Sequence, residues 1–199
     1  MNAMRSAIAI LSLLLGTFCA QTNAGEPASV NSATAFFAGG CFWCMEADFE
    51  KLPGVISAES GYTASKTPNP TYEQVSSGTT GHAEAVRVAY DKTKLSYSQL
   101  VDYFWKHIDP TAKDQQFCDV GTQYRTGIYW QNEEERNIAD SSRDALLKSG
   151  KFSKIHTEIK AATTFYPAEE YHQDYYKTNP ARYSVYRKGC KRDSRLAEI

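Results

Sequence analysis

The sequence has no internal repeat, no low-complexity tract, no glycine fingerprint for phosphate and no apolar run of the length that spans a bilayer. Repeat architectures, nucleotide folds of the dinucleotide-binding kind and a membrane-spanning protein are thereby set aside. Charge of one sign is also missing: 22 Lys and Arg face 23 Asp and Glu, a formal charge of −1. That balance offers no electrostatic footing for nucleic acid or for an anionic membrane surface. A zinc site is not spelled out either. Cys41 and Cys44 form one pair, but Cys118, Cys190 and the histidines at 82, 107, 156 and 172 supply no second paired spacing.

What is present begins with a distinct leader. Arg5 precedes an apolar run from Ala7 to Phe18, and Thr22 and Ala24 are small residues at positions −3 and −1 of a cut before Gly25. Residues 1–24 thus read as a secretory signal peptide, which places the mature chain in the periplasm or outside the cell. Phe18 before Cys19 is too bulky for a lipoprotein cleavage site. Without the leader, which carries one charged side chain, the charge becomes −2 and four cysteines remain, at 41, 44, 118 and 190. Residues 25–32 read as a flexible lead, 33–183 as one domain and 184–199 as a mobile basic tail carrying Cys190.

The elements follow from periodicity. Residues 34–38, 55–62, 82–90, 124–130 and 155–161 have strand character, while the positions from Cys41, from Ser96 to Ile108, and from Glu133 to Ser149 have helical spacing. Residues 63–81 form a long connection of the kind that carries function. From Pro167 the chain reads as irregular, with a short helix over 169–177. The order βαββαβ, then αβ, predicts an α+β fold: a ferredoxin-like sandwich with a mixed, largely antiparallel sheet and an irregular C-terminal tail.

The organising stretch is Gly39-Gly40-Cys41-Phe42-Trp43-Cys44. It reads as strand, glycine turn and helix, with Cys41 at the helix N-terminus, where free backbone N–H groups and the helix dipole favour a thiolate nucleophile. A structural Cys41–Cys44 bridge would close too short a loop to stabilise much. Glu84 opens the apolar face of its strand; unless paired with a buried cation or exposed at the strand end, it is desolvated and stays protonated near neutral pH, ready to act as an acid. The chain is rich in tyrosine, with 13. Tyr72 in the long connection and Tyr124 are pocket donors or ordinary surface and core rings. Thiol redox chemistry is what these residues leave, with a thiol–disulfide oxidoreductase as one enzyme reading; a disulfide-stabilised pocket for a thioether or methylated ligand is the non-enzymatic one.

A set of motifs discriminates among them. Gly40-Cys41-Phe42-Trp43, Gly61-Tyr62-Thr63, Pro68-Asn69-Pro70-Thr71-Tyr72, Gly78 to Ala85, Gly121-Thr122-Gln123-Tyr124-Arg125 and Tyr171-His172-Gln173 occur in this order across residues 34–183. The chain so resembles the type A peptide-methionine sulfoxide reductases, enzymes that reverse methionine oxidation at one sulfoxide epimer. The resemblance implies Cys41 as nucleophile, Glu84 as acid, Tyr72 and Tyr124 as hydrogen-bond donors to the sulfoxide oxygen, Asp119 as a supporting polar group, and Phe42 and Trp43 as walls for the substrate methyl. It implies no metal or organic cofactor, free methionine S-sulfoxide and oxidised proteins as substrates, a thioredoxin-like dithiol reductant and a monomer.

The resemblance leaves the resolving thiol open. Many members have Gly where this chain has Cys44, and many carry resolving cysteines in a mobile tail. Cys44 and Cys190 are both candidates, singly or in relay, and Cys118 reads as a bystander. His82 and His172 read as structural hydrogen-bonding residues.

Overall fold

The computed structural model describes residues 31–199; the predicted signal peptide and most of the predicted lead lie outside the described residues. In chain order the elements are β1 (Ser32–Gly39), α1 (Phe42–Phe49), β2 (Val55–Thr63), α2 (Tyr72–Ser76), β3 (Ala83–Asp91), α3 (Tyr97–Trp105), β4 (Gln115–Gln116), β5 (Asp119–Val120), β6 (Thr126–Trp130), α4 (Glu133–Lys148), β7 (Glu158–Ala161), β8 (Tyr166–Pro167), α5 (Tyr175–Thr178), α6 (Pro180–Gly189) and α7 (Arg192–Glu198). The main sheet has the order β7-β6-β1-β3-β2-β8. Its neighbours are antiparallel except β6 and β7, which α4 joins as a parallel crossover. The inner order β6-β1-β3-β2, with α1 and α3 as the crossovers, is the ferredoxin-like arrangement expected from the element order. Among the described residues no helix is long and apolar enough to cross a membrane.

The core lies between the sheet and α1 and α3. Phe37 of β1 stacks between Phe49 of α1 and Phe104 of α3, with centroids 5.0 and 5.1 Å away. Each such ring contributes about 2–3 kcal/mol when fully buried. Two helices are set by their caps: Ser96 with Gln99 starts α3, and Thr71 with Gln74 starts α2, each a reciprocal capping box. The second cap puts a helical turn into the connection read as structureless from sequence, and it fixes where Tyr72 begins.

The C-terminal region departs from the expectation of an irregular tail. Residues 180–189 and 192–198 are the helices α6 and α7, docked on the domain. Pro180 suits the first helical turn, where its missing N–H costs nothing. Docking comes from distant partners: Arg192 is 1% exposed and donates to the carbonyls of Gly39 and His107, and Cys190 is joined to Cys118 by a disulfide. Cys118, taken from sequence as a bystander, is therefore the anchor of the tail.

At the edge of the sheet, Gly61 faces β8 at close range. A Cβ there would lie 2.3 Å from Phe165 Cζ and 2.5 Å from the backbone oxygen of Tyr166, and the backbone has no rotamer with which to yield. G61A is expected to destabilise the chain by about 1–3 kcal/mol, as overpacking does. Thermal unfolding followed by circular dichroism should show a midpoint lowered by about 3–10 °C.

Candidate active site

Cys41 is delivered by the turn between β1 and α1. Gly40 makes that turn with φ +81°, and a Cβ on it would lie 2.5 Å from Gln116 Cβ. Both conditions call for glycine. Cys41 then occupies the N-cap position of α1, and its carbonyl receives the N–H groups of Cys44 and Met45 at 3.1 and 3.3 Å. On the adjacent strand, register pairs Phe37 of β1 with Val86 of β3, which brings Glu84 beneath the first turn of α1. The Phe42 N–H donates to Glu84 Oε2 at 3.0 Å. The free amide end of the helix thus serves the carboxyl group rather than the thiol.

Glu84 is 2% exposed. Burial pushes its carboxyl up from the ordinary 4.5 to about 8, with the charges of Asp119 and Cys44 adding and the Phe42 N–H opposing. No cation pairs with it among the described residues, so it is neutral at pH 7. Cys41 moves the same way: burial raises its thiol well above the usual range, and interaction with Cys44 and the Glu84 charge raise it further, against a lowering by Tyr186. Cys44 moves in the opposite direction, lowered by the Cys41 thiol and by Arg192 and Arg187 against its own burial. Burial thus works against the anion that the helix terminus favours at Cys41, while the two guanidiniums favour negative charge at Cys44.

The other residues predicted for catalysis and substrate binding converge on the same place. Cys41, Phe42, Trp43, Tyr72, Glu84, Asp119, Tyr124 and Tyr186 line one cavity of about 70 Å³, room for a few heavy atoms. Tyr72 enters from the start of α2, where its N–H is held by Glu169 Oε1 at 2.8 Å; its phenol is raised to about 12, by burial first and by Glu84 next. Tyr124 lies in a 3-10 turn before β6 rather than within the strand, and burial and the Glu84 charge raise its phenol too. Both phenols therefore keep their protons and remain donors. Trp43 stacks on Tyr175 with centroids 3.7 Å apart, and its Nε1–H donates to His172 Nδ1 at 3.1 Å. His172 in turn packs against Phe42 and Tyr72. His82 is held to the carbonyl of Thr67 at 2.8 Å.

Sequence reasoning missed Tyr186. Its hydroxyl donates to Asp119 Oδ2 at 2.6 Å, and its ring meets Trp43 edge-on at 5.8 Å. Asp119, raised by burial, is thereby tied to α6. Cys190 does not reach the cavity in this state; it and Cys118 are bonded to each other, with Cα atoms 4.9 Å apart. Cys41 and Cys44 are both free and both buried. Cys118, Asp119 and Cys190 are the one group of potential metal ligands brought together among the described residues, and the disulfide occupies both of its thiols.

A neutral buried acid, two protonated phenols, aromatic walls and a thiol around a cavity of this size form a place to protonate a small polar atom while sulfur attacks beside it. Comparison with known proteins agrees with that chemistry. The sequence profile of the family "Peptide methionine sulfoxide reductase" matches residues 33–199. The chain is 52% identical over 163 residues to the peptide methionine sulfoxide reductase MsrA of Ligilactobacillus salivarius, covering 81% of this chain and 95% of that one. It is 49% identical over 165 residues to the MsrA of Bacillus licheniformis, covering 82% and 91%. Among solved structures it resembles Mxr1 of Saccharomyces cerevisiae in its reduced form, with a TM-score of 0.72, 30% identity and coverage of 78% and 89%. It also resembles methionine sulfoxide reductase A of Corynebacterium diphtheriae, with a TM-score of 0.68, 34% identity and coverage of 78% and 77%. The chain belongs to the peptide methionine sulfoxide reductase family and is an oxidoreductase that reduces methionine sulfoxide.

Proposed function

We propose that the chain reduces methionine S-sulfoxide, free and within proteins, by attack of Cys41 on the sulfoxide sulfur. The observation that carries this reading is the convergence of Cys41, neutral Glu84 and the phenols of Tyr72 and Tyr124 on one cavity. A sulfoxide sulfur is a poor electrophile until its oxygen accepts hydrogen bonds or a proton. Tyr72, Tyr124 and Glu84 supply these, Phe42 and Trp43 hold the S-methyl, and Asp119 supports the polar side. The oxygen passes from the substrate sulfur to Cys41: the substrate sulfur is reduced to the thioether, and Cys41 is oxidised to the sulfenic acid.

A thiol then condenses with that sulfenic acid. Cys44 is one helical turn from Cys41, whereas Cys190 is committed to Cys118. In this reading Cys44 resolves first, and Cys190 takes part only after Cys118–Cys190 opens by thiol exchange. A thioredoxin-like dithiol protein closes the cycle. With residues 1–24 as an export signal, that donor is periplasmic or extracellular, and the enzyme works there as a monomer without metal or organic cofactor.

The test is one turnover of the chain, with Cys41 and Cys44 reduced and Cys118–Cys190 intact, on one equivalent of L-methionine S-sulfoxide, followed by peptide mapping. The expected products are one methionine per enzyme and a Cys41–Cys44 bridge, with the R epimer left unreacted. C44S is expected to slow disulfide formation at least as much as C190S, because Cys44 is fixed beside the nucleophile. A wild-type product bridged solely between Cys41 and Cys190 refutes the assignment of the resolver.

A further inference from the structure

Behind α1 lies a buried charge cluster that sulfoxide reduction at Cys41 does not use. Asp48 stands one turn beyond Cys44 on the same face of α1 and is 3% exposed. Its Oδ1 meets Arg187 Nη1 at 2.9 Å, and its Oδ2 faces Arg192 Nε at 3.7 Å. Arg192 also donates to the Gly39 carbonyl at 3.2 Å and to Met45 Sδ at 3.0 Å, so its guanidinium lies against the turn that bears Cys41 and Cys44. Arg187 reaches back to Asp193 at 2.6 Å and to the Tyr183 hydroxyl at 2.9 Å.

The charges do not cancel locally. Asp193, whose side chain is mostly exposed, pairs with Arg187, and Lys51, also mostly exposed, approaches Asp48 Oδ1 at 3.7 Å, so three cations stand against two carboxylates. Inside, two guanidiniums face one carboxylate, and two polar atoms of this cluster, Asp48 Oδ2 and Arg192 Nε, have no hydrogen-bond partner. Burying two cations over one anion is unfavourable unless a further negative charge forms nearby. Cys44 is the group placed to carry it. The ionisable groups around it are Cys41 and Asp48 on α1, Glu84 on β3, Tyr175 and Tyr176 on α5, Tyr183, Tyr186 and Arg187 on α6, and Arg192 on α7. Every cation in that set comes from the C-terminal helices, which Cys118–Cys190 pins in place.

We propose that Arg187 and Arg192 are positioning residues for the resolving step, holding the Cys44 sulfur as a thiolate for attack on the Cys41 sulfenic acid. The inference rests on the reading of Cys44 as resolver. In the step, the Cys44 thiolate forms an S–S bond to the Cys41 sulfur, the S–O bond breaks, and the departing hydroxide takes the Glu84 proton and leaves as water. Cys44 is oxidised and the sulfenic sulfur of Cys41 is reduced to the disulfide level. The tail on this view activates the resolving thiol instead of carrying it.

The experiment uses the full chain and Arg187, whose side chain is nearer the surface than that of Arg192. R187Q, R187K and C44S are each followed through a single turnover with L-methionine S-sulfoxide between about pH 6 and about pH 10. Methionine release and disulfide formation are timed separately, and a sulfenic acid trap reports the intermediate. R187Q should release one equivalent of methionine as the native chain does. Its disulfide should form about two- to fivefold more slowly near pH 7, with the pH midpoint displaced upward by about one unit and the difference lost near pH 10. R187K, which restores the charge, should come within about twofold of native. A native rate and pH profile in R187Q, or an equal slowing at every pH, overturns the proposal. A native disulfide rate in C44S instead overturns the resolver assignment, and the inference falls with it.

Discussion

C41S is expected to release no methionine from L-methionine S-sulfoxide, a loss of at least about four orders of magnitude that chromatography of the products would register. The reason is chemical rather than steric. The reaction needs an atom that can take up the substrate oxygen and then give it away as water, which sulfur does by passing through a sulfenic acid. A serine oxygen has no corresponding state of comparable stability. Glu84, Tyr72 and Tyr124 are untouched in this variant, so the sulfoxide should still bind and its oxygen should still be hydrogen-bonded. Cys41 is in no disulfide, and its carbonyl, which caps α1, is unchanged by the substitution. The melting temperature should fall by a few degrees at most, reflecting a hydroxyl in place of a thiol in a buried site. Substrate binding with no turnover separates loss of the nucleophile from loss of the fold. Turnover within about tenfold of native would remove Cys41 from the mechanism.

The parts of this site that the sequence disclosed are those where a local rule and the tertiary structure agree. Cys41 follows a strand and a glycine turn, and Glu84 falls on the apolar face of an alternating strand; both positions are set by neighbours a few residues away. Tyr72, Tyr124 and Asp119 lie in short elements and turns whose course no periodicity dictates, and only the resemblance marked them. Tyr186, Arg187 and Arg192 carry neither signal. Their helices show little apolar patterning and are held by contacts with residues far away in the chain: Tyr186 to Asp119, Arg187 to Asp48, and Arg192 to Gly39. A Tyr- and Arg-rich end reads as irregular until the surface that receives it exists. The same cause hid the Cys118–Cys190 bridge, since spacing says nothing of which two distant cysteines meet. For the Cys41 thiolate a local rule meets an opposing tertiary effect. A helix N-terminus stabilises an anion, but here its first amide is spent on Glu84, and burial of the Cys41 sulfur opposes the anion with Tyr186 acting in its favour.

E84Q separates hydrogen bonding from proton transfer at the same position. The amide oxygen can still accept from Phe42 N–H, and its NH2 can still donate to the sulfoxide oxygen, but no proton can be handed over. The catalytic rate is expected to fall by about 10²- to 10⁴-fold, with KM changed much less. The pH dependence carries the sharper signature. Native Glu84 is protonated below about 8, so activity should decline as pH rises through that value. E84Q has no such group, and its residual rate should lack the decline. It should instead rise with pH, since removal of the Glu84 charge lowers the Cys41 thiol. Stability should change in the opposite sense. The folded-state value, about 8, lies above the ordinary 4.5, so the folded chain binds this proton more tightly than the unfolded chain. The native protein therefore loses stability as pH rises from about 4.5 to about 8, on the order of 3–5 kcal/mol by linkage. E84Q avoids that loss and should melt higher than native near pH 9, while the two should melt alike near pH 4. A buried acid kept without a cation is costly to the fold in just the range where it is useful, which is the mark of a group retained for its proton. An E84Q enzyme within about threefold of the native rate, or one that keeps the decline near pH 8, would assign the proton to another residue.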